Sequence, residues 1–86
     1  MQASDQHENQ DPRGERRDEA ARLIRQLTPK EREVLKCVHS GLLNKQIAHR
    51  LGMAEATVKT HMTALMRKLE VRNRTQAAIL AGSLGS

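Results

Sequence analysis

The stretch NKQIAHRLGMAEATVKTHMTALMRKL, residues 44–69, decides the fold. It reads as two helices either side of a glycine. Asn44 is a capping residue type, and Ile47, Ala48 and Leu51 recur at the spacing of one helical face. Gly52 follows, where a helix end favours a residue able to take left-handed backbone angles. A longer helix is predicted from about Glu55 to Leu69. Two helices joined by so short a turn are a helix-turn-helix candidate. Ala48, Gly52 and Val58 fit that motif: a small residue at the crossing, a glycine in the turn, and a β-branched residue filling the angle between the helices. On this pattern alone an ordinary helical hairpin remains the alternative.

Placing residues 55–69 on a wheel separates their chemistry. At about 100° per residue, with Lys59 at zero, Thr63 falls near about 40°, Arg67 near about 80° and Thr60 near about 100°. Val58, Met62, Leu65 and Leu69 gather on the opposite side, with Met66 and His61 at the borders. The polar arc, which also holds Ala56, has no carboxylate, whereas a solvated helix ordinarily mixes signs. Lysine can donate to guanine O6 or N7. Threonine can hydrogen-bond either way and can touch the thymine methyl. The helix start, with Thr57 nearby, offers backbone N–H groups to a phosphate. Arg67 lies two turns further on, placed for backbone rather than bases. Lys45, Arg72 and Arg74 are further phosphate candidates, each of which can equally be a solvated surface residue.

Local punctuation extends the reading outward. Thr28-Pro29-Lys30-Glu31 offers a cap, a proline at the first helical position and a capping-box glutamate. A helix is predicted over 29–39, ending before Gly41 and burying Val34, Leu35 and Val38. Helices follow over 44–51 and 55–69. Asn73-Arg74-Thr75-Gln76 opens a last one over 74–81. The expected architecture is all-α: a four-helix domain over 28–82, a polar disordered tail over 1–14, and a frayed C-terminus over 83–86. Residues 15–27 read either as a short helix docking Leu23, Ile24 and Leu27 on the domain or as a linker.

Composition narrows the function. Phe, Tyr and Trp are absent, so the core must be aliphatic, and stacking platforms for unpaired bases are missing. Residues 1–27 hold six acids and five bases, residues 28–86 four acids and ten bases. The basic excess therefore lies in the folded part, which suits an acidic or phosphate-rich partner, although a solvated basic surface gives the same count. A single cysteine, Cys37, excludes an internal disulfide and fits a reducing, cytoplasmic setting. No run is apolar enough to span a membrane. His7, His39, His49 and His61 show no metal-site spacing, and Cys37 and His39 do not share a helical face. Cys37 reads as a core residue. No catalytic constellation, metal or cofactor is expected. An interaction module docking through the last helix or residues 20–27 is compatible with nucleic-acid binding.

The segments LTPKEREVL, NKQIAHRLG, TVKTH and KLEVRNRTQA together resemble the LuxR-type (GerE-like) helix-turn-helix domain, known from the C-terminal halves of NarL/FixJ-type bacterial response regulators. The likeness runs from Leu27 to Ala81. It implies sequence-specific binding of double-stranded DNA by a transcriptional regulator in a two-component system. The third helix would lie in the major groove, with Lys59, Thr60 and Thr63 facing bases. Thr57 and His61 would support backbone contacts. The fourth helix would form a two-fold dimer contact through Ala77, Ala78, Leu80 and Ala81, the operator being roughly palindromic. RNA polymerase is the further partner implied; no small-molecule ligand is expected in this segment. The chain departs from the pattern where Ala54 replaces a capping Ser or Thr, where Glu70 replaces a glycine, and at Thr60 and Thr63, where relatives often carry charged or larger residues. The helix end at Glu70 is expected to be less tightly turned.

Overall fold

The structure, a computed structural model, describes residues 12–83, with side chains from residue 17. Its helices are α1 (Pro12–Ile24), α2 (Pro29–His39), α3 (Asn44–Leu51), α4 (Glu55–Leu69) and α5 (Arg74–Gly82). All regular structure among the described residues is helical. The four domain helices stand where local punctuation predicts them, the last running one residue longer. Residues 15–24 are helical, the first of the two readings, and α1 opens earlier, at Pro12. Most of the expected polar tail, and residues 84–86 of the expected frayed end, lie outside the described residues. No helix among the described residues is long and apolar enough to cross a membrane.

The start of α2 forms as its sequence demands. The Thr28 hydroxyl accepts from the Glu31 N–H at 3.1 Å, and the Glu31 carboxylate accepts from the Thr28 N–H at 2.9 Å. Two orphan donors are thereby satisfied reciprocally. α2 packs against α4 and α5, α3 crosses α4, and α1 lies along α4. Val34, Ile47, Val58, Leu65 and Leu69 are the largest fully buried side chains. Burying each contributes about 1.5–3 kcal/mol. Cys37 is buried among them as an unpaired thiol. Leu23 and Leu27 join the same cluster, which ties α1 and the turn after it to the domain.

The ends of α2, α3 and α4 share one geometry. After α2, the Gly41 N–H donates to the Val38 carbonyl and the Leu42 N–H to that of Cys37, both at 3.0 Å. Gly52 after α3 and Glu70 after α4 close with the same pair of bonds, one from the left-handed residue and one from its successor. Glu70 sits at φ 60°, the one described non-glycine residue with positive φ. The end of α4 is therefore as fully closed as its neighbours, contrary to expectation. The side chain at this position costs about 1 kcal/mol relative to glycine.

Asn44 was expected to cap α3; instead Leu43 occupies the cap position and Asn44 is the first helical residue. The physical reason lies in α5: the Asn44 Oδ1 accepts from the Arg74 guanidinium at 2.6 Å. Gln46 still reaches back, its Oε1 accepting from the Leu43 N–H at 2.8 Å. Leu43 supplies no acceptor, and it is 65% exposed. Ala54, capping α4, likewise supplies none. Leu43→Ser and Ala54→Ser should therefore each stabilise the fold by about 1 kcal/mol. Chemical denaturation measures this directly, and an unchanged or lowered midpoint in either variant contradicts the cap assignment there.

Candidate nucleic-acid interface

The site is built on α4. Ala48, 8% exposed, lets α3 cross closely, and Val58 fills the angle with no exposure at all. Gly52, at φ 67°, turns the chain between them. With Val58, Met62, Leu65 and Leu69 buried, the opposite face must point out. Lys59, Thr60, Thr63 and Arg67 are all exposed there, together with Ala56 and Thr57. His61 and Met66 are half-buried at the borders, as the wheel places them. Within the helix this face carries no carboxylate; Glu55 lies at its N-terminal edge.

The two threonines expected to face bases differ. The Thr60 hydroxyl donates to the Ala56 carbonyl of its own helix at 3.2 Å. Among the described residues the Thr63 hydroxyl makes no such bond.

The structure places the expected backbone-contact residues unevenly. Lys45 and Arg72 are exposed, on α3 and before α5. Arg74 is not free in the same way. Half-buried, its guanidinium donates to Asn44 Oδ1 and to the Leu42 carbonyl, clamping the start of α5 to the turn before α3. Those donors are engaged within the chain, so Arg74 is a structural clamp first. Beside it, Gln76 does not close the expected box onto Asn73. The Asn73 side chain accepts from the Gln76 N–H at 2.9 Å, while Gln76 Oε1 accepts from the Arg72 N–H at 2.7 Å.

The expected dimer residues need one correction. Ala77 is fully buried in the chain's own core and cannot meet a second copy. Ala78, Leu80 and Ala81 are half-buried against that core. Ile79 is 67% exposed and is the apolar side chain that α5 presents outward. A run of five apolar residues carries no period, so the sequence could not rank its members.

Sequence reasoning also missed the ion pair that braces α4. The Lys68 ammonium donates to Glu31 Oε1 at 2.8 Å, joining the C-terminal end of α4 to the start of α2. Burial alone would raise the Glu31 carboxyl. The hydrogen bond from Lys68, those at Thr28 and the Lys68 charge outweigh burial and hold its pKa below the ordinary 4.5. Among the described residues no group of three or more His, Cys, Asp or Glu side chains could hold a metal ion. A cleft lined by Ile24, Pro29, Leu35, His39 and Ala81, among others, includes no residue of α4.

With this geometry in view, comparison with known proteins is direct. The family described as "Bacterial regulatory proteins, luxR family" matches residues 25–81. The nitrate/nitrite response regulator protein NarL of Escherichia coli K12 is 45% identical over 58 residues, 67% of this chain and 27% of that protein. The DNA-binding transcriptional activator DevR/DosR of Mycobacterium tuberculosis is 48% identical over 58 residues, again 67% of this chain and 27% of that protein. In three dimensions the chain resembles the response regulator StyR, with a TM-score of 0.69 and 44% identity over 74% of this chain and 32% of that one. The chain thus spans under a third of the length of these relatives.

Proposed function

This chain belongs to the luxR family of bacterial regulatory proteins, DNA-binding transcription regulators rather than enzymes, and on that footing we propose that it binds double-stranded DNA sequence-specifically, with α4 in the major groove. The observation that carries this reading is the exposed face of α4. Lys59, Thr60, Thr63 and Arg67 project together from a helix anchored on its other side. Lys59 and the threonines address base edges, while Arg67, Thr57 and Lys45 lie outward for phosphates, with Arg72 and the half-buried His61 at the margins. The fused arrangement of α3 and α4 holds this face rigidly, as base readout requires.

The working unit is a two-fold dimer on a roughly palindromic operator. Ile79 supplies the apolar centre of the contact, flanked by Ala78, Leu80 and Ala81. Each copy makes few contacts, so unassisted binding is modest and salt-sensitive. The similarity to NarL, DevR/DosR and StyR supports a place in a two-component response, with RNA polymerase as a further partner.

Selection of duplexes from a random pool tests the reading: enriched sites should contain paired inverted half-sites. Failure to enrich any sequence would sink it. Ile79→Asp should leave thermal stability nearly unchanged, because the side chain is exposed. It should abolish the preference for two half-sites over one in gel-shift titrations. Unaltered preference would place the dimer contact elsewhere.

A further inference from the structure

We propose that Thr60 reads the C5 methyl of thymine with its own methyl group, and that its hydroxyl takes no part in base recognition. This rests on the major-groove reading of α4 and goes beyond it by assigning opposite chemistry to two residues of one type.

The argument starts from the Thr60 side chain. Its Cβ carries two heavy substituents, a hydroxyl and a methyl. The hydroxyl is turned back along the helix and donates to the Ala56 carbonyl at 3.2 Å. Threonine in a helix adopts this arrangement readily, because it satisfies the hydroxyl locally. Its one hydrogen is committed, so the hydroxyl has none left to donate to a base. The methyl is then the group left to project from an exposed residue. Ala56, one turn earlier and also exposed, adds a second methyl beside it. The two form a small apolar notch within a polar face, flanked by Lys59 and Thr63.

In the major groove only one base presents a methyl, and thymine's is met by apolar contact from alanine or threonine. A notch of two methyls matches that group in size and polarity. It offers nothing to a cytosine N4 amino group or a guanine O6, each of which would lose hydration against it without a replacement partner. Thr63, by contrast, keeps its hydroxyl unbonded among the described residues, so it remains the polar reader of the pair.

The test uses uracil scanning. Sites selected by the wild-type chain are resynthesised with deoxyuridine in place of each thymidine in turn, which deletes only the methyl. At one thymine per half-site, this change should weaken wild-type binding roughly three- to fivefold, the worth of one buried methyl. Thr60→Val keeps an outward methyl and discards the hydroxyl, so it should retain both affinity and the thymine preference. Thr60→Ser keeps the hydroxyl and discards the methyl, so its preference for thymine over uracil should fall well below that of the wild type, the Ala56 methyl alone remaining. The inference is overturned if no thymine in the selected site shows the loss, if Thr60→Ser prefers thymine as strongly as the wild type, or if Thr60→Val loses as much affinity as Thr60→Ser. If the wild-type chain selects no site at all, the groove reading fails with it; a selected site without methyl dependence sinks this inference alone.

Discussion

Replacing Lys59 and Thr63 together by alanine should weaken binding to a selected duplex by about a thousandfold or more. Each base contact is worth about 1–3 kcal/mol, and a dimer loses both contacts twice. The fold should not suffer. Both side chains are exposed, neither makes a hydrogen bond among the described residues, and alanine is the better helix former. Circular dichroism melting separates the two effects. Arg67→Ala should behave differently, lowering affinity on all sequences and reducing the salt slope by about one per protomer. Wild-type affinity and salt dependence in the double variant would place the DNA on another face.

A comparably large effect is expected in stability at Glu31. Glu31→Ala removes the reach back to the Thr28 N–H and the partner of Lys68 in one step. Lost cap and lost charge-assisted bond together amount to about 2–3 kcal/mol. For a domain of this size the melting temperature should fall by about 10 °C or more. Acid should reproduce part of this. The folded Glu31 pKa lies below its unfolded value, so its contribution is present above about pH 4.5 and is lost as pH falls through the depressed folded value. Glu31→Gln keeps an acceptor for the cap but has no carboxylate to protonate, so its acid limb should be shallower. An identical limb in wild type and Glu31→Gln would show that the ion pair carries none of the acid sensitivity.

Helix positions were legible in the sequence because their signals are local. Thr28, Pro29 and Glu31 sit within one turn, and Gly41 and Gly52 end their helices by backbone angles that need no distant partner. The division of α4 into two faces followed from periodicity for the same reason. What escaped were pairings across the fold. Arg74 meets Asn44 thirty residues away, and Lys68 meets Glu31 at a separation of 37. No short window contains either pair, so neither the Arg74 clamp nor the engagement of Asn44 shows in the sequence. That Ala77 is buried and Ile79 exposed does not show in the sequence, because five consecutive apolar residues define no face. The different hydrogen bonding of Thr60 and Thr63 depends on where a hydroxyl rests, which composition cannot express.

The core assembled from Val34, Ile47, Val58, Leu65 and Leu69 contains no aromatic ring. Spectroscopically the consequence is a chain almost blank in the near ultraviolet. Absorbance and fluorescence there, in any complex, report the nucleic acid alone. Near-ultraviolet dichroism, the usual witness of fixed side-chain packing, has nothing in this core to observe. Ring-current displacement of the core methyl resonances is also missing, so they should lie bunched close to their unfolded positions. A well-packed core would thus give the spectrum ordinarily taken for a loose one, and amide exchange is the sounder measure of its order.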